Sequence, residues 1–385
     1  MLTILLMAIF QMPQFAILPG TDLIATEVFP ERGLPMIQAI MTLPGIIAVI
    51  AGVCASTMVR YGLASKKTMT LVGLTSIAIT GVTAFLLNTE FWQFCLMNVF
   101  IGAGMGIFVP SAQSIMFDNF DEKTRNFIMG MQFSCINGGG LLMSLLCGLL
   151  TTIVWYGGHL QMLIVIPVIV VAYLVVPKDA KMRSTAVNSV TRTKLPSRAY
   201  YYSSLIVIFM ILYNVATVNI STHIAQGNIG DSSTAGIATA LFMGGGVVCG
   251  LIFPKLSKTM RDQIFTLNFI IMTIGYALMA LFPASLPVTL VAMLICGTSM
   301  SLLIPRAIFQ VSNLSDPTNS ATATMLVCSV APGIGHFFSP IIMTNLTMAI
   351  GGESTRFRFE FTAYICLALA AVMFLYTLRR AKRER

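Results

Sequence analysis

Residues 102–140 read GAGMGIFVPSAQSIMFDNFDEKTRNFIMGMQFSCINGGG, and several positions of this segment recur 195 residues later in the chain. The recurring pairs are Gly102 and Gly297, Pro110 and Pro305, Asp121 and Asp316, Gly138 and Gly333, and Gly140 and Gly335. Basic residues follow the same offset, since Arg60 pairs with Lys255 and Lys66 with Arg261. The offset predicts two copies of one unit. In an apolar chain, such a parallel repeat is typical of transporters that bind a solute between their halves.

The composition is that of an integral membrane protein. The 385 residues are 56% hydrophobic and 10% charged, and the mean hydropathy is +0.86. A helical span needs about 20 apolar residues. The chain starts apolar at Met1 with no basic segment before it, which favours a first span over a cleaved signal peptide. Twelve spans are predicted, at 2–26, 35–58, 68–88, 91–116, 126–150, 160–176, 199–224, 234–254, 263–282, 287–312, 320–348 and 360–378.

The formal charge of +9 comes from basic residues that lie mostly on one side of the predicted membrane spans, and this pattern does not indicate nucleic-acid binding. Basic residues follow the even-numbered spans: Arg60, Lys66, Lys67, Lys123, Arg125, the group from Lys178 to Arg198, Lys255, Lys258, Arg261 and the tail from Arg379 to Arg385. The opposite loops hold Arg32, Arg356 and Arg358. The positive-inside rule therefore predicts a plasma-membrane protein with both termini in the cytoplasm. The basic tail is also suited to contact anionic lipid.

The domain organisation follows from one polar stretch, Pro177 to Arg198. We predict an N-terminal six-helix bundle at 1–177, a cytoplasmic linker at 178–198, and a C-terminal bundle with its basic tail at 199–385. The eight cysteines lie in apolar spans without metal-ligand spacing. We therefore expect no metal, no cofactor and no disulfide framework.

The segment 102–140 and its surroundings resemble spans 4 and 5 of the major facilitator superfamily. That family shows a glycine-rich span 4 with a mid-span proline, an acidic turn ending in arginine, and a glycine-rich span 5. The matching residues are Gly102, Gly104, Gly106, Pro110, Asp121, Arg125 and Gly138. The resemblance covers essentially the whole chain. It implies an all-α fold of twelve transmembrane helices in two six-helix bundles, with spans 1, 4, 7 and 10 around a central cavity.

The turn after span 2 departs from the family pattern. The family places a glycine, then an aspartate four residues later, then basic and aromatic residues and a second glycine. This chain has Ala55, Val59, Arg60, Tyr61, Gly62, Lys66 and Lys67 in that region. Val59 cannot form the charge–dipole latch that the resemblance implies for the aspartate. Arg60, Gly62 and Lys66 are latch candidates, with anchoring at the membrane surface as the alternative. Hinge or close-packing candidates are Gly102, Gly106, Pro110, Gly138, Gly297, Pro305 and Gly333.

Arg306 is the main candidate for substrate chemistry. An ionisable residue inside a span costs about 2.5–3.5 kcal/mol. Arg306 lies ten residues before Asp316, or about 15 Å along a helix. Ser299, Gln310 and Asn313 share its face, whereas the matching face of span 4 carries Gly104, Ser111 and Asp118. The charge thus belongs to the second half only. It suits an anionic group on the substrate, and the alternative is an arginine that reaches the cytoplasmic interface.

Other polar residues are weaker candidates. Gln11 and Gln14, with Thr21 or Asp22, line one side of span 1, and Asn214 with Thr217 and Ser221 lines one side of span 7. Asn137 and His336 complete the candidate substrate-binding set. Asp22 and His336 are the candidates for proton coupling. Exchange with a counter-ion or facilitated diffusion requires neither residue.

The sequence therefore predicts a secondary transporter, either a symporter or an antiporter, that acts by alternating access as a monomer. The substrate is a small organic solute, either an organic anion or a lipophilic compound, because methionine and aromatic residues adapt to varied shapes. An intramembrane enzyme is disfavoured, since His159, His223 and His336 lie on separate segments and no nucleophile–base pattern is present. No catalytic residue is predicted. The remaining alternative is a receptor or scaffold that keeps the fold without transport.

Overall fold

The computed structural model describes residues 1–176, 197–260, 263–314 and 326–383, and every regular element in these ranges is helical. The all-α prediction is confirmed. The chain divides into two compact units, Met1–Lys194 and Leu195–Arg385. The predicted linker, 178–198, lies almost entirely outside the described residues.

The helices follow the predicted order, and we number them as spans. In the N-terminal unit, span 1 consists of Leu2–Ala8 and Pro13–Val28, span 2 is Gly33–Arg60, span 3 is Lys66–Leu86, span 4 is Phe91–Asn119, span 5 is Glu122–Thr151 and span 6 is Gly157–Val175. In the C-terminal unit, span 7 is Ser197–Gln226, span 8 is Ser232–Met260, span 9 is Gln263–Leu281, span 10 is Leu286–Leu314, span 11 joins a π-helical turn, Leu326–Val330, to Ala331–Ala349, and span 12 is Thr355–Arg383.

Among the described residues, ten helices are long and apolar enough to cross a membrane, or eleven if the two parts of span 1 are counted as one. Span 11 is not among them. It was predicted at 320–348, and residues 315–325 lie outside the described ranges. The remaining helix, Ala331–Ala349, occupies the predicted position.

The two units repeat the same packing scheme. In the first, span 4 packs on spans 2 and 3, span 6 on span 3, and span 1 on span 5. In the second, span 10 packs on spans 8 and 9, span 12 on span 9, and span 7 on span 11. Each pairing in one unit has its counterpart in the other. The 195-residue offset in the sequence is therefore a repeat in three dimensions.

Glycines make close helix contacts, as the glycine-rich pattern of span 4 predicted, and the repeat partner of Gly102 in span 10 does the same. A Cβ on Gly102 would lie 2.7 Å from the carbonyl oxygen of Pro44, and one on Gly297 would overlap the carbonyl oxygen of Phe242. Gly138 differs, because a Cβ there would meet nothing within 4 Å. Its neighbour Gly139 makes the contact instead, against the backbone of Ile9. Close packing at Gly138 was therefore a wrong expectation, since the space that a side chain would take there is open.

Span 1 was predicted as continuous over 2–26, but it breaks between Ala8 and Pro13 with a bend of 47°. Proline has no backbone N–H to continue the helical ladder, and its ring disfavours a helical residue before it. The first helix instead ends in tight turns, where the N–H groups of Phe10 and Gln11 bond to the carbonyls of Met7 and Ala8, both at 3.1 Å. The break alters the predicted polar face, because Gln11 lies in the break and Gln14 lies after it.

Candidate substrate site

Asn214 and His336 form a buried hydrogen-bonded pair between spans 7 and 11. The Asn214 amide nitrogen donates to the carbonyl oxygen of Met210 at 2.6 Å, which leaves its side-chain oxygen facing His336. That oxygen lies 2.8 Å from His336 Nδ1. Since an amide oxygen only accepts, Nδ1 carries the proton, and in the neutral ring Nε2 carries the lone pair. Both side chains are buried.

A glycine and a serine bring span 11 close enough for this pair to form. A Cβ on Gly335 would lie 2.7 Å from the carbonyl oxygen of Val207, so only glycine fits at this crossing. One turn beyond His336, the Ser339 hydroxyl donates to the carbonyl of Ile211 at 2.7 Å. One face of span 11 thus contacts span 7, and it carries Gly335, His336 and Ser339.

At the same level, a side chain from span 9 bonds to the backbone of span 7. The hydroxyl oxygen of Tyr276 accepts from the N–H of Ala216 at 3.2 Å and donates to the carbonyl of Leu212 at 2.5 Å. In a regular helix, that N–H would bond to that carbonyl. The tyrosine hydroxyl therefore bonds to both backbone groups of one turn of span 7, which is a continuous helix here, and Asn214 lies midway between the two residues.

Arg306 lies inside span 10, immediately after Pro305, and only 7% of its surface is exposed. Gln310 lies one turn later and is half-buried, while Ser299 is fully buried two turns earlier. The side chain of Asn313 lies outside the described set. Span 10 packs against span 7. The C-terminal unit thus contains the Asn214–His336 pair on spans 7 and 11, and Arg306 with Gln310 on span 10.

The other predicted candidates belong to the N-terminal unit. Gln11 and Gln14 are buried at the break in span 1, and Asp22 lies two turns further and is half-buried. Asn137 is half-buried in span 5. These residues lie on spans 1 and 5, which are one of the packed helix pairs of this unit.

Arg358 is a buried cation that the sequence analysis wrongly assigned to a loop. Span 12 begins at Thr355, five residues before its predicted start, so Arg358 lies in its first turn and is only 1% exposed. Its guanidinium donates to Asn219 Oδ1 at 2.8 Å, to Thr347 Oγ1 at 3.3 Å and to the Glu353 carbonyl at 3.2 Å. These contacts tie spans 7, 11 and 12 together. The aromatic residues on both sides, Phe357 and Phe359, were the sequence signal for an earlier helix start.

His223 continues this polar cluster one turn along span 7. Its Nδ1 lies 3.1 Å from the hydroxyl of Thr355, and its Nε2 lies 3.5 Å from the hydroxyl of Thr289. The Thr355 hydroxyl and backbone N–H both bond to Gln226 Oε1, at 2.8 and 2.9 Å. The sequence placed His223 on a different segment from the other two histidines, and in the structure it links spans 7, 10 and 12.

The latch candidates surround the turn between spans 2 and 3. Arg60 ends span 2, although its side chain lies outside the described set, and Gly62 follows with a positive φ of 69°. Lys66 begins span 3. The clearest contact is made by Lys67, whose ammonium donates to the carbonyls of Tyr173 and Val176 at 2.7 and 2.6 Å. Lys67 thereby caps the end of span 6. Pro110 and Pro305 lie within spans 4 and 10, and Gly106 and Gly333 lie within spans 4 and 11.

Comparison with known proteins identifies the class. The sequence matches the Major Facilitator Superfamily over residues 2–340, so the chain belongs to this superfamily of membrane transporters. The family prediction is confirmed. A sequence search of curated proteins gave no match.

Several solved transporters share the fold. A POT family transporter in complex with a thioalcohol-conjugated peptide is 14% identical, with a TM-score of 0.74 over 98% of this chain and 96% of that one. The nucleoside transporter NupG is 13% identical, with a TM-score of 0.73 over 97% and 99%. The human organic anion transporter MFSD10 is 13% identical, with a TM-score of 0.65 over 96% and 98%. At these identities, the likeness shows the fold.

Proposed function

We propose that this member of the superfamily is a secondary transporter that moves a small organic anion across the plasma membrane by alternating access. The observation that supports the anionic substrate is Arg306, whose guanidinium side chain is 93% buried in a membrane-spanning helix. Placing such a charge in a span costs about 2.5–3.5 kcal/mol, and residues of this kind usually mark a substrate or ion pathway.

The position of Arg306 favours binding over a purely architectural role. Its counterpart in the first half of the repeat is Ser111, so the fold forms without a cation at this position. Pro305, directly before it, removes a backbone hydrogen bond from span 10 and leaves the helix easier to bend there. The planar guanidinium is suited to bidentate contact with a carboxylate or phosphate.

We assign His336 a role in proton coupling or substrate hydrogen bonding. With Nδ1–H directed to Asn214, the imidazole uses Nε2 to accept a proton or a substrate hydrogen bond. Gln310, Gln11, Gln14 and Asn137 are proposed as polar substrate contacts, and Asp22 as an alternative proton carrier. Exchange for a counter-ion is compatible with the same set. We assign no catalytic residue and no cofactor, and we propose a monomer with both termini in the cytoplasm and with basic residues at the lipid surface.

The substrate class is tested by a thermal-shift screen of the purified protein against organic anions and lipophilic cations. Each compound is also tested with Arg306→Gln and with Arg356→Gln, a control that removes an exposed arginine from the same unit. We expect anions to raise the Tm of the wild type and of Arg356→Gln, but not of Arg306→Gln. Stabilisation by lipophilic compounds alone, identical in all three proteins, contradicts the anion assignment and supports a multidrug exporter. Stabilisation without solute flux in vesicles indicates a receptor.

A further inference from the structure

Three buried oxygen atoms around the broken part of span 1 have no hydrogen-bond partner within the described residues. They are Gln14 Oε1, Ser144 Oγ and Gln161 Oε1. Their side chains are 9%, 0% and 3% exposed. An unsatisfied buried polar group costs about 1–3 kcal/mol, so three of them in one region of a membrane protein indicate something that is bound there.

Gln161 is fixed beside the segment that follows the break. Its amide nitrogen donates to the carbonyls of Ala16 and Gly158, both at 3.1 Å. With the nitrogen held by two carbonyls, the amide oxygen is the atom that remains available. Gln161 therefore places an acceptor oxygen next to Ala16, two residues after Gln14.

The internal repeat places Ser144 at the same level. Its counterpart 195 residues later is Ser339, and the hydroxyl of Ser339 bonds to the carbonyl of Ile211, which is the counterpart of Ala16. The first unit contains the same pairing of spans, with Gly139 against Ile9 and Thr151 against Gly20. Ser144 lies between these two contacts, on the face it shares with Thr151. In the N-terminal unit, Gln161 donates to the Ala16 carbonyl, and the Ser144 hydroxyl has no partner among the described residues.

The donor set suits a monovalent cation. All three atoms are uncharged oxygens from an amide or a hydroxyl, and they are the hard ligands that alkali and alkaline-earth cations prefer. Protein sites for Ca²⁺ and Mg²⁺ draw on carboxylates, and none of these three residues carries one. Broken helices in transporters place coupling ions at the break, where freed backbone carbonyls add further ligands. The remaining unpartnered atom there, Gln11 Nε2, is a donor and is not a ligand.

We propose that the N-terminal unit binds a sodium ion at the break in span 1, through Gln14, Ser144 and Gln161. The site lies within the N-terminal unit, and of its three residues only Gln14 is also among the proposed substrate contacts. Sodium binding is measured without transport. A negative result for the sodium site is therefore distinguishable from a failure of the transport proposal.

The test compares the Tm of the purified protein in equimolar sodium, potassium and N-methyl-D-glucamine chloride, and ²²Na⁺ binding at equilibrium. We expect sodium to raise the Tm by about 2–4 °C over N-methyl-D-glucamine. Ser144→Ala should abolish the sodium-dependent shift and weaken ²²Na⁺ binding at least tenfold, while Ser144→Thr, which keeps a hydroxyl, should retain both.

Ser76→Ala is the matched control, because Ser76 is a similarly buried serine of the same unit whose hydroxyl bonds to the Phe100 carbonyl at 2.8 Å. This variant should keep the sodium response. An equal Tm in the three salts together with no ²²Na⁺ binding overturns the proposal. That result indicates that buried water, and not sodium, is the partner of the three oxygens. A sodium response that survives Ser144→Ala overturns the assignment of the site to this position.

Discussion

The hydroxyl of Tyr276 in span 9 accepts a hydrogen bond from the backbone N–H of Ala216 in span 7. It also donates to the carbonyl of Leu212, the residue to which that N–H bonds in a regular helix. Because Asn214 lies within the turn that these two bonds span, we expect Tyr276 to help position the backbone that orients the Asn214–His336 pair.

Tyr276→Phe tests that relationship. Tyr276→Phe removes the bonds that the hydroxyl makes to the Ala216 N–H and the Leu212 carbonyl, which should loosen this turn and shift Asn214 relative to His336. We expect a loss of about 1 kcal/mol in stability, faster hydrogen exchange in the peptide that covers 212–218, and an altered pH dependence of transport. Tyr213→Phe is the control, since the Tyr213 hydroxyl is not part of this ladder. Unchanged exchange and an unchanged pH profile in Tyr276→Phe would show that the hydroxyl does not position the pair.

Gly138 and Gly139 provide a matched test of helix packing. A Cβ on Gly139 would overlap the backbone of Ile9 at the break in span 1, whereas a Cβ on Gly138 faces open space. We expect Gly139→Ala to lower the Tm and the transport rate, because spans 1 and 5 must separate to admit the methyl group. Gly138→Ala should be neutral or stabilising by about 0.5–1 kcal/mol, since alanine favours the helix. Equal effects of the two substitutions on Tm would contradict this packing.

Arg358 should be important for stability, in contrast to its neighbour Arg356. Arg358→Gln removes charge-assisted hydrogen bonds to Asn219 and Thr347, and we expect a loss of about 1.5–3 kcal/mol in the free energy of unfolding. Arg356 is exposed on the same helix, and Arg356→Gln should change stability by less than about 0.5 kcal/mol. Denaturation in detergent measures both variants. If Arg358→Gln is as stable as Arg356→Gln, the cluster does not hold spans 7, 11 and 12 together.

Much of the fold could be read from the sequence, because its signals are long and repeated. The duplication, the apolar spans and the contacts of Gly102 and Gly297 follow from periodicity and residue size. The break in span 1 was not predicted, because its sequence signal is a single residue, Pro13, in a stretch that is otherwise apolar enough for one continuous span. Local composition alone did not distinguish a kinked helix from a broken one.

The candidate site was harder to predict from the sequence, because its hydrogen-bond partners are distant along the chain. Asn214 and His336 were both candidates, but their pairing depends on the close crossing at Gly335. The repeat singles out this glycine without indicating which helix it crosses. Arg358 was missed because positive charge near a helix end is typical of a loop. Its neutral partners, Asn219 and Thr347, come from two other helices.

The most direct test of the central claim is anion exchange in proteoliposomes, with a radiolabelled organic anion chosen from the thermal-shift screen. Wild type and Arg356→Gln should show saturable, protein-dependent exchange, while Arg306→Gln should lose at least tenfold in kcat/KM, which corresponds to about 1.4 kcal/mol of lost transition-state stabilisation. Exchange no faster than in protein-free vesicles, or the same kcat/KM in Arg306→Gln as in the wild type, would contradict an anion transporter that uses Arg306.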